Sequence, residues 1–227
     1  MCRQAHWVNE KRIRRLMRLM GLYAVYPKSC LSQSYLEHKK YPYLLKGITI
    51  DHADQVWCSD IPYIRLLRGF VYLVVIMDWF SRYILSRELS ITLEKEFCID
   101  ALSKTLKISK PEVFNSDQEP QYTSEDFIDV LKGDDIRISM DGRGRLYDNI
   151  FVERLWWTVK YEEVYLHDYW SVSEAKERLA FYFNFYNKER PHASLEYRTP
   201  LEVYYRLPSV QKAVFACKWE HGNGRAR

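Results

Sequence analysis

Residues 114–127 read FNSDQEPQYTSEDF, and how that stretch is taken decides the fold. The apolar run through Val113 and Phe114 has the length of a buried strand, breaks at Asn115-Ser116-Asp117, passes Pro120, and restarts at Thr123-Ser124 with Glu125 and Asp126 behind it. A strand that stops and then feeds a capped helix is the repeating unit of a sheet whose strands alternate with helices. Asp117 stands at the strand end. It is either a turn residue bonding local backbone or a carboxylate offered to a ligand.

Upstream, three segments rich in Val, Ile, Tyr, Phe and Trp run from Gln55 to Ile64, Gly69 to Asp78 and Ser81 to Leu89. The short breaks between them suit hairpins and predict an antiparallel meander. Within Glu94–Ile108, Phe97, Ala101, Leu102 and Leu106 recur at helical spacing. Downstream, the pattern predicts a helix from about Ser124 to Leu131, a strand from Ile136 to Met140, a Gly-rich loop at Asp141–Gly144, a long helix from about Asn149, and another from Ser173 to Asn187. Hairpins followed by alternation predict a mixed α/β sheet covered by helices. Pro62, inside the first strand, removes a ladder donor and predicts a bulge or a local edge.

Charge is unevenly spread. Residues 1–48 carry ten Lys or Arg against two acids, a local charge of +8, which leaves −4 for the remainder. A helix beginning near Asn9 places Ile13, Leu16, Met17 and Met20 on one face, with Lys11, Arg12, Arg14, Arg15 and Arg18 crowded around it, and Gly21 is a natural stop. Such an arm predicts a polyanion partner. Five cysteines, an odd number with no C-x-x-C spacing, indicate neither a disulfide framework nor a Cys-based zinc site. The longest apolar run, Phe70 to Met77, is far shorter than the roughly 20 residues that cross a bilayer, so a soluble, cytoplasmic protein without a membrane partner is expected.

Most acids fall where Asp commonly bonds backbone, among them Asp54, Asp78, Asp134 and Asp141. Three stand apart. Asp60 interrupts the apolar strand QVWCSDIPYI, Asp117 ends the next predicted buried strand, and Glu153 lies in the helix DNIFVERLWWTVK. On that helix Asn149, Glu153, Trp157 and Lys160 form one polar and aromatic stripe beside the apolar Val152, Trp156 and Val159. Carboxylates converging from strand, strand end and helix would suit two Mg²⁺ ions. By pattern alone, a turn cap at Asp117, a base-paired Asp60 and a surface Glu153 remain equally open.

The three blocks resemble the Asp, Asp and Glu blocks of the retroviral-integrase-like DDE superfamily. Asp117 and Glu153 are separated by 35 residues, the D,D-35-E spacing, and Lys160 takes the basic position seven residues past the Glu. More narrowly, VNEKRIRRLMRLMGLYAVYPK, GFVYLVVIMDWFSRYILS, IRISMDGRGRLYDNIFVERLW and FYNKERPHASLEYRTPLEVY resemble the second-reading-frame product of insertion-sequence-three family transposases, from about Val8 to Tyr204. The resemblance implies an RNase-H-like fold with a central five-stranded mixed sheet flanked by helices, preceded by a basic, partial helix-turn-helix segment. It also implies metal-dependent DNA cleavage and strand transfer, with Asp60, Asp117 and Glu153 holding two Mg²⁺ (or Mn²⁺) ions. The expected organisation is a basic DNA-binding segment at 1–25, a linker at 26–47, the catalytic core at 48–207 and a tail at 208–227. Lys160, Arg154, Arg143 and Arg145 are expected to contact DNA, and His192 to be structural or a DNA contact rather than a metal ligand. Element-end and target DNA, a homo-oligomer on DNA and an upstream-reading-frame product are the expected partners, at the nucleoid.

Two departures accompany the resemblance. Where the family carries Gly and Ser after the Asp-Gln pair, this chain has Glu119 and Pro120. Several tens of residues usually precede Val8 in the family, so a partial product is expected. Two alternatives to the transposase follow: a catalytically impaired DNA-binding remnant, and a two-metal nuclease of the same fold.

Overall fold

The computed structural model describes residues 9–20, 40–141 and 150–208. The chain divides into two compact units, Met1–Glu37 and His38–Arg227. In the first, helix α1 spans Glu10–Leu19. Asn9 Oδ1 accepts the Lys11 N–H at 2.9 Å at its start, and Arg14 reaches back one turn to Glu10 at 2.6 Å. Lys11, Arg12, Arg14 and Arg15 all have exposed side chains. The Arg18 side chain and Gly21 lie outside the described residues.

The second unit is built on a mixed sheet. Its strands are β1 (Val56–Asp60), β2 (Tyr63–Arg65), β3 (Phe70–Asp78), β4 (Ile84–Ser90), β5 (Val113–Ser116) and β6 (Arg137–Met140). β3 pairs antiparallel with β4 on one side and with both β1 and β2 on the other. β5 lies parallel to β1, and β6 parallel to β5. The sheet thus has six strands instead of the expected five, because Pro62 splits the first one. The register across the split is unbroken: Asp60 faces Val75 and Tyr63 faces Tyr72, and the Pro62 carbonyl still accepts the Leu73 N–H at 3.1 Å. No residue is inserted, so Pro62 makes no bulge. It marks a local edge, because β5 pairs only with Val56–Cys58 and leaves the chain beyond it uncovered on that side.

Alternation along the central strands sorts side chains between two cores. Val71, Leu73, Val75 and Met77 join Val56 and Cys58 on one face, packed by α5 (Ile150–Glu162) and α6 (Val172–Lys188). Val74, Ile76, Trp57 and Phe114 occupy the other, under α2 (Glu96–Leu106) and α4 (Glu125–Gly133). The β3–β4 turn is longer than the sequence pattern suggested. Asp78, fully buried, accepts the Ser81 N–H at 2.8 Å and the Ser81 hydroxyl at 2.5 Å, which holds residues 79–83 out of the strand.

Between β5 and α4 a single unexpected turn of helix, α3 (Pro120–Thr123), begins with Pro at its first position, where the missing N–H costs nothing. Ser124 then caps α4, its hydroxyl accepting the Phe127 N–H at 3.4 Å. The far end of α6 is docked by Asn187, whose side-chain amide bonds both the N–H and the carbonyl of Ile84 at 2.9 Å each. A last short helix, α7 (Pro200–Tyr204), opens with a reciprocal Thr199–Glu202 capping box. Leu44 in the segment before β1 ties to the sheet through its N–H to Ser139 Oγ at 3.0 Å, and Leu45 is buried. Among the described residues no helix is long and apolar enough to cross a membrane.

Candidate active site

The parallel strands β1, β5 and β6 run side by side, and at the end of each stands an aspartate: Asp60, Asp117 and Asp141. Carboxyl ends of parallel strands are where open α/β sheets bind ligands, because side chains there project past the last ladder bonds. Asp60 is the last residue of β1, partly buried. Its Oδ2 accepts the indole N–H of Trp156 from α5 at 2.6 Å. The buried carboxylate is therefore satisfied by an indole, not by a base. Burial, then repulsion from Glu153, raises the Asp60 carboxyl, while the Trp156 and Ile61 N–H donors and Lys160 pull it down; the net direction is up.

Asp117 follows β5 directly. Its Oδ1 accepts the Glu119 N–H at 3.0 Å, so it closes a turn and remains at the strand end at once. Burial, followed by the negative charges of Asp60 and Asp141, pushes its carboxyl up to about 6 despite that donor. Asp60 is the common member, since it acts on Asp117 and is itself acted on by Glu153. Glu153 lies in the first turn of α5 and is exposed. Lys160, two turns on, is half-buried and acts on Asp60. Among the described residues, no three His, Cys, Asp or Glu side chains converge tightly enough to enclose a cation.

Glu119 belongs to the same field. It is the N-cap of α3, its Oε2 is buried without a hydrogen-bond partner, and burial together with Asp117 and Asp60 pushes its carboxyl up to about 8. The donor set is all hard carboxylate oxygen, the type that binds Mg²⁺ or Mn²⁺. Repulsion among Asp60, Asp117 and Glu119 is the imbalance a divalent cation relieves, so these residues fit such an ion.

Other candidates separate clearly. Arg154 is exposed and turned away from Asp60, since it lies about 160° round α5 from Trp156, which bonds that carboxylate. Arg143, Arg145 and Asn149 lie outside the described residues. His192 is partly buried beside Tyr186 and Arg190, whose guanidinium grips Glu162 through Nε at 2.9 Å and Nη2 at 2.6 Å. The sequence pattern alone shows Trp156 as an apolar face residue and Asp141 as a loop acid, whereas Trp156 bonds Asp60 and Asp141 acts on Asp117. Trp156 stands one turn from both Glu153 and Lys160, and Asp141 ends a buried strand just as Asp117 does. Those positions were the available signals.

Residues 51–145 match a family model described as integrase core domain, and residues 134–200 match a second model of the same description. The fold is similar to the HTLV-2 integrase catalytic core domain, solved in complex with magnesium in a trimeric form, with a TM-score of 0.56 at 19% identity over 67% of this chain and 97% of that one. Fold and family models together define a polynucleotidyl transferase with an integrase-type, RNase-H-like core. The transposase for insertion sequence element IS904 of Lactococcus lactis subsp. lactis (strain IL1403) is 30% identical over 206 residues, 85% of this chain and 79% of that protein. Transposase InsF for insertion sequence IS3A of Escherichia coli (strain K12) is 29% identical over 200 residues, 84% of this chain and 68% of that protein. The chain belongs to the insertion-sequence-three family of DDE DNA transposases.

Proposed function

We propose that Asp60, Asp117 and Glu153 are the metal-holding carboxylates of this transposase. The observation that carries the reading is the pair of acids at the ends of neighbouring parallel strands, both raised by burial and by like charge, with Glu153 acting on Asp60 from α5. Two divalent ions bound there would activate a water or a 3′-hydroxyl and stabilise the leaving 3′-oxygen at a DNA phosphodiester. Trp156 fixes the Asp60 carboxylate with its indole N–H. The turn at Glu119 fixes Asp117 through one oxygen and leaves the other for a ligand. Lys160 supplies a cation beside Asp60, suited to a DNA phosphate.

In the same reading, Lys11, Arg12, Arg14, Arg15 and Arg18 and, in the basic loop, Arg143 and Arg145 serve as backbone contacts to DNA. The protein acts at element ends as a homo-oligomer, with an upstream-reading-frame partner, at the nucleoid, and the core spans 48–207 behind a basic segment and linker. Cleavage and joining of labelled element-end DNA in Mg²⁺ tests the site. Asp60→Asn, Asp117→Asn and Glu153→Gln should each lose at least about 10³-fold in cleavage while still binding DNA; full activity in any of them removes that residue from the triad. A second reading is favoured by Glu119 alone: its extra carboxylate beside Asp60 and Asp117 suits an impaired remnant. Cleavage that appears only after Glu119→Gly with Pro120→Ser would establish that alternative.

A further inference from the structure

Beside α5, Arg82, Arg154, Trp157, Arg190, His192 and Tyr197 line a cavity of about 670 Å³. Three arginines line it, and among the described residues one of them is in an ion pair, Arg190 through its fork on Glu162. Arg82 lies with its guanidinium 3.4 Å from the centre of the Phe151 ring. Among the described residues neither Arg82 nor Arg154 forms an ion pair, and burial shifts Arg82 in the direction that disfavours its charge. The Asp78 carboxylate acts on Arg82 at longer range, and the guanidinium, held on an aromatic face and in no direct ion pair, keeps capacity for an anion. His192 reports the same field: burial, then Arg190 and Arg82, push it down to about 4, so it remains a neutral hydrogen-bonding group at the cavity wall.

The mouth is aromatic. Trp157 is 60% exposed and heads a ladder that runs along α5 and past its end, with Tyr161 (54%) at a ring-centre distance of 4.6 Å and Tyr165 (64%), just beyond the helix, 5.2 Å further on. Large exposed rings in a row beside unpaired arginines are the two components that bind unpaired nucleic-acid strands, stacking for bases and cations for phosphates. The volume lies within the range of small-ligand sites.

We propose that this cavity binds one unpaired nucleotide of DNA, its phosphate held by Arg82 and Arg154 and its base stacked on Trp157, with the strand continuing over Tyr161 and Tyr165. The inference rests on the DNA-processing reading and adds a second contact surface to it, which begins at Trp157, one turn of α5 beyond Glu153.

The test is anisotropy of a fluorescein-labelled five-nucleotide thymidine oligomer with the full chain in EDTA, which keeps metal out of the other site. Trp157→Leu and Arg154→Ala, both at exposed positions, should each weaken binding about tenfold, and Arg82→Gln should do the same if it folds. Arg137→Ala, which removes one exposed cation from β6, should change it less than about twofold. A blunt duplex should bind Trp157→Leu as it binds wild type. Unchanged pentanucleotide binding by Trp157→Leu overturns the proposal, and so does an equal loss in Arg137→Ala, which would mean diffuse charge alone. Element-end cleavage by the wild type that persists alongside either result leaves the transposase site standing and removes only this pocket; absence of all DNA binding removes both.

Discussion

Glu119→Gln gives the sharpest quantitative test of the acidic centre. In the folded chain the Glu119 carboxyl is pushed up to about 8 from an ordinary 4.5, by burial and then by Asp117 and Asp60. In the unfolded chain it ionises first, so its stabilising contribution is complete below about pH 4.5 and is lost as pH rises to about 8. At about 1.4 kcal/mol per unit, the full span would cost about 5 kcal/mol. Solvent reaches part of the side chain, so screening reduces the expected loss to about 2 kcal/mol. Urea unfolding in EDTA at half-unit steps from pH 4.5 to 8.5 should show wild type declining about 2 kcal/mol more than Glu119→Gln, with the curves meeting at the acid end. Adding Mg²⁺ should flatten the wild-type curve, because a divalent ion offsets the same repulsion. Parallel curves in EDTA would refute the placement of Glu119 in the field of Asp60 and Asp117.

Trp156→Phe removes the N–H donor from Asp60. Hydrogen bonds to a charged group contribute about 1.5–3 kcal/mol, so the Asp60 carboxyl should titrate higher by NMR and stability at pH 7 should fall by about 2 kcal/mol. Asn187→Ala strips two bonds between α6 and β4 and leaves a buried peptide unpaired, for an expected loss of about 2 kcal/mol in urea unfolding; a loss under about 0.5 kcal/mol would mean water replaces the amide. Binding of duplex DNA should weaken steeply as salt rises, and replacing Lys11, Arg12, Arg14 and Arg15 by Gln should flatten the slope of log K against log salt by roughly three to four. An unchanged slope would exclude α1 as a phosphate-contacting element.

The elements most readable in the sequence were those whose burial is one-sided or complete. β3 announced itself because Val71 through Met77 alternate between two cores, and α6 because Leu179, Phe183 and Tyr186 return on one face. The split of the first strand was half legible: Pro62 disclosed the lost donor, but only tertiary pairing with β3 fixes whether a residue is inserted. α3 escaped because one turn of helix has no period, and its start depends on Glu119 adopting an extended backbone ahead of Pro120. The positions of Asp60 and Asp117 were readable from polar residues set in apolar runs. Their partners were not, since Trp156 looks like any core aromatic until α5 is laid across β1. The arginine cavity was invisible for the same reason, because Arg82, Arg154 and Arg190 come from three separated segments.

The C-terminal end of α5 is secured by charged side chains. Glu162 holds the Arg190 fork and the Tyr182 hydroxyl, and Glu163, just past the helix, holds Arg178 and the Tyr169 hydroxyl. Glu153 lies nine residues back, about 13 Å along the axis. For a rigid helix that anchored end is a pivot, and the Trp156 indole on Asp60 lies between it and Glu153. A tilt of about 10° about that pivot carries the Glu153 carboxylate about 2 Å toward or away from Asp60. Arg154 and Trp157 stand on the same helix as Glu153, so any tilt that moves the carboxylate moves them with it.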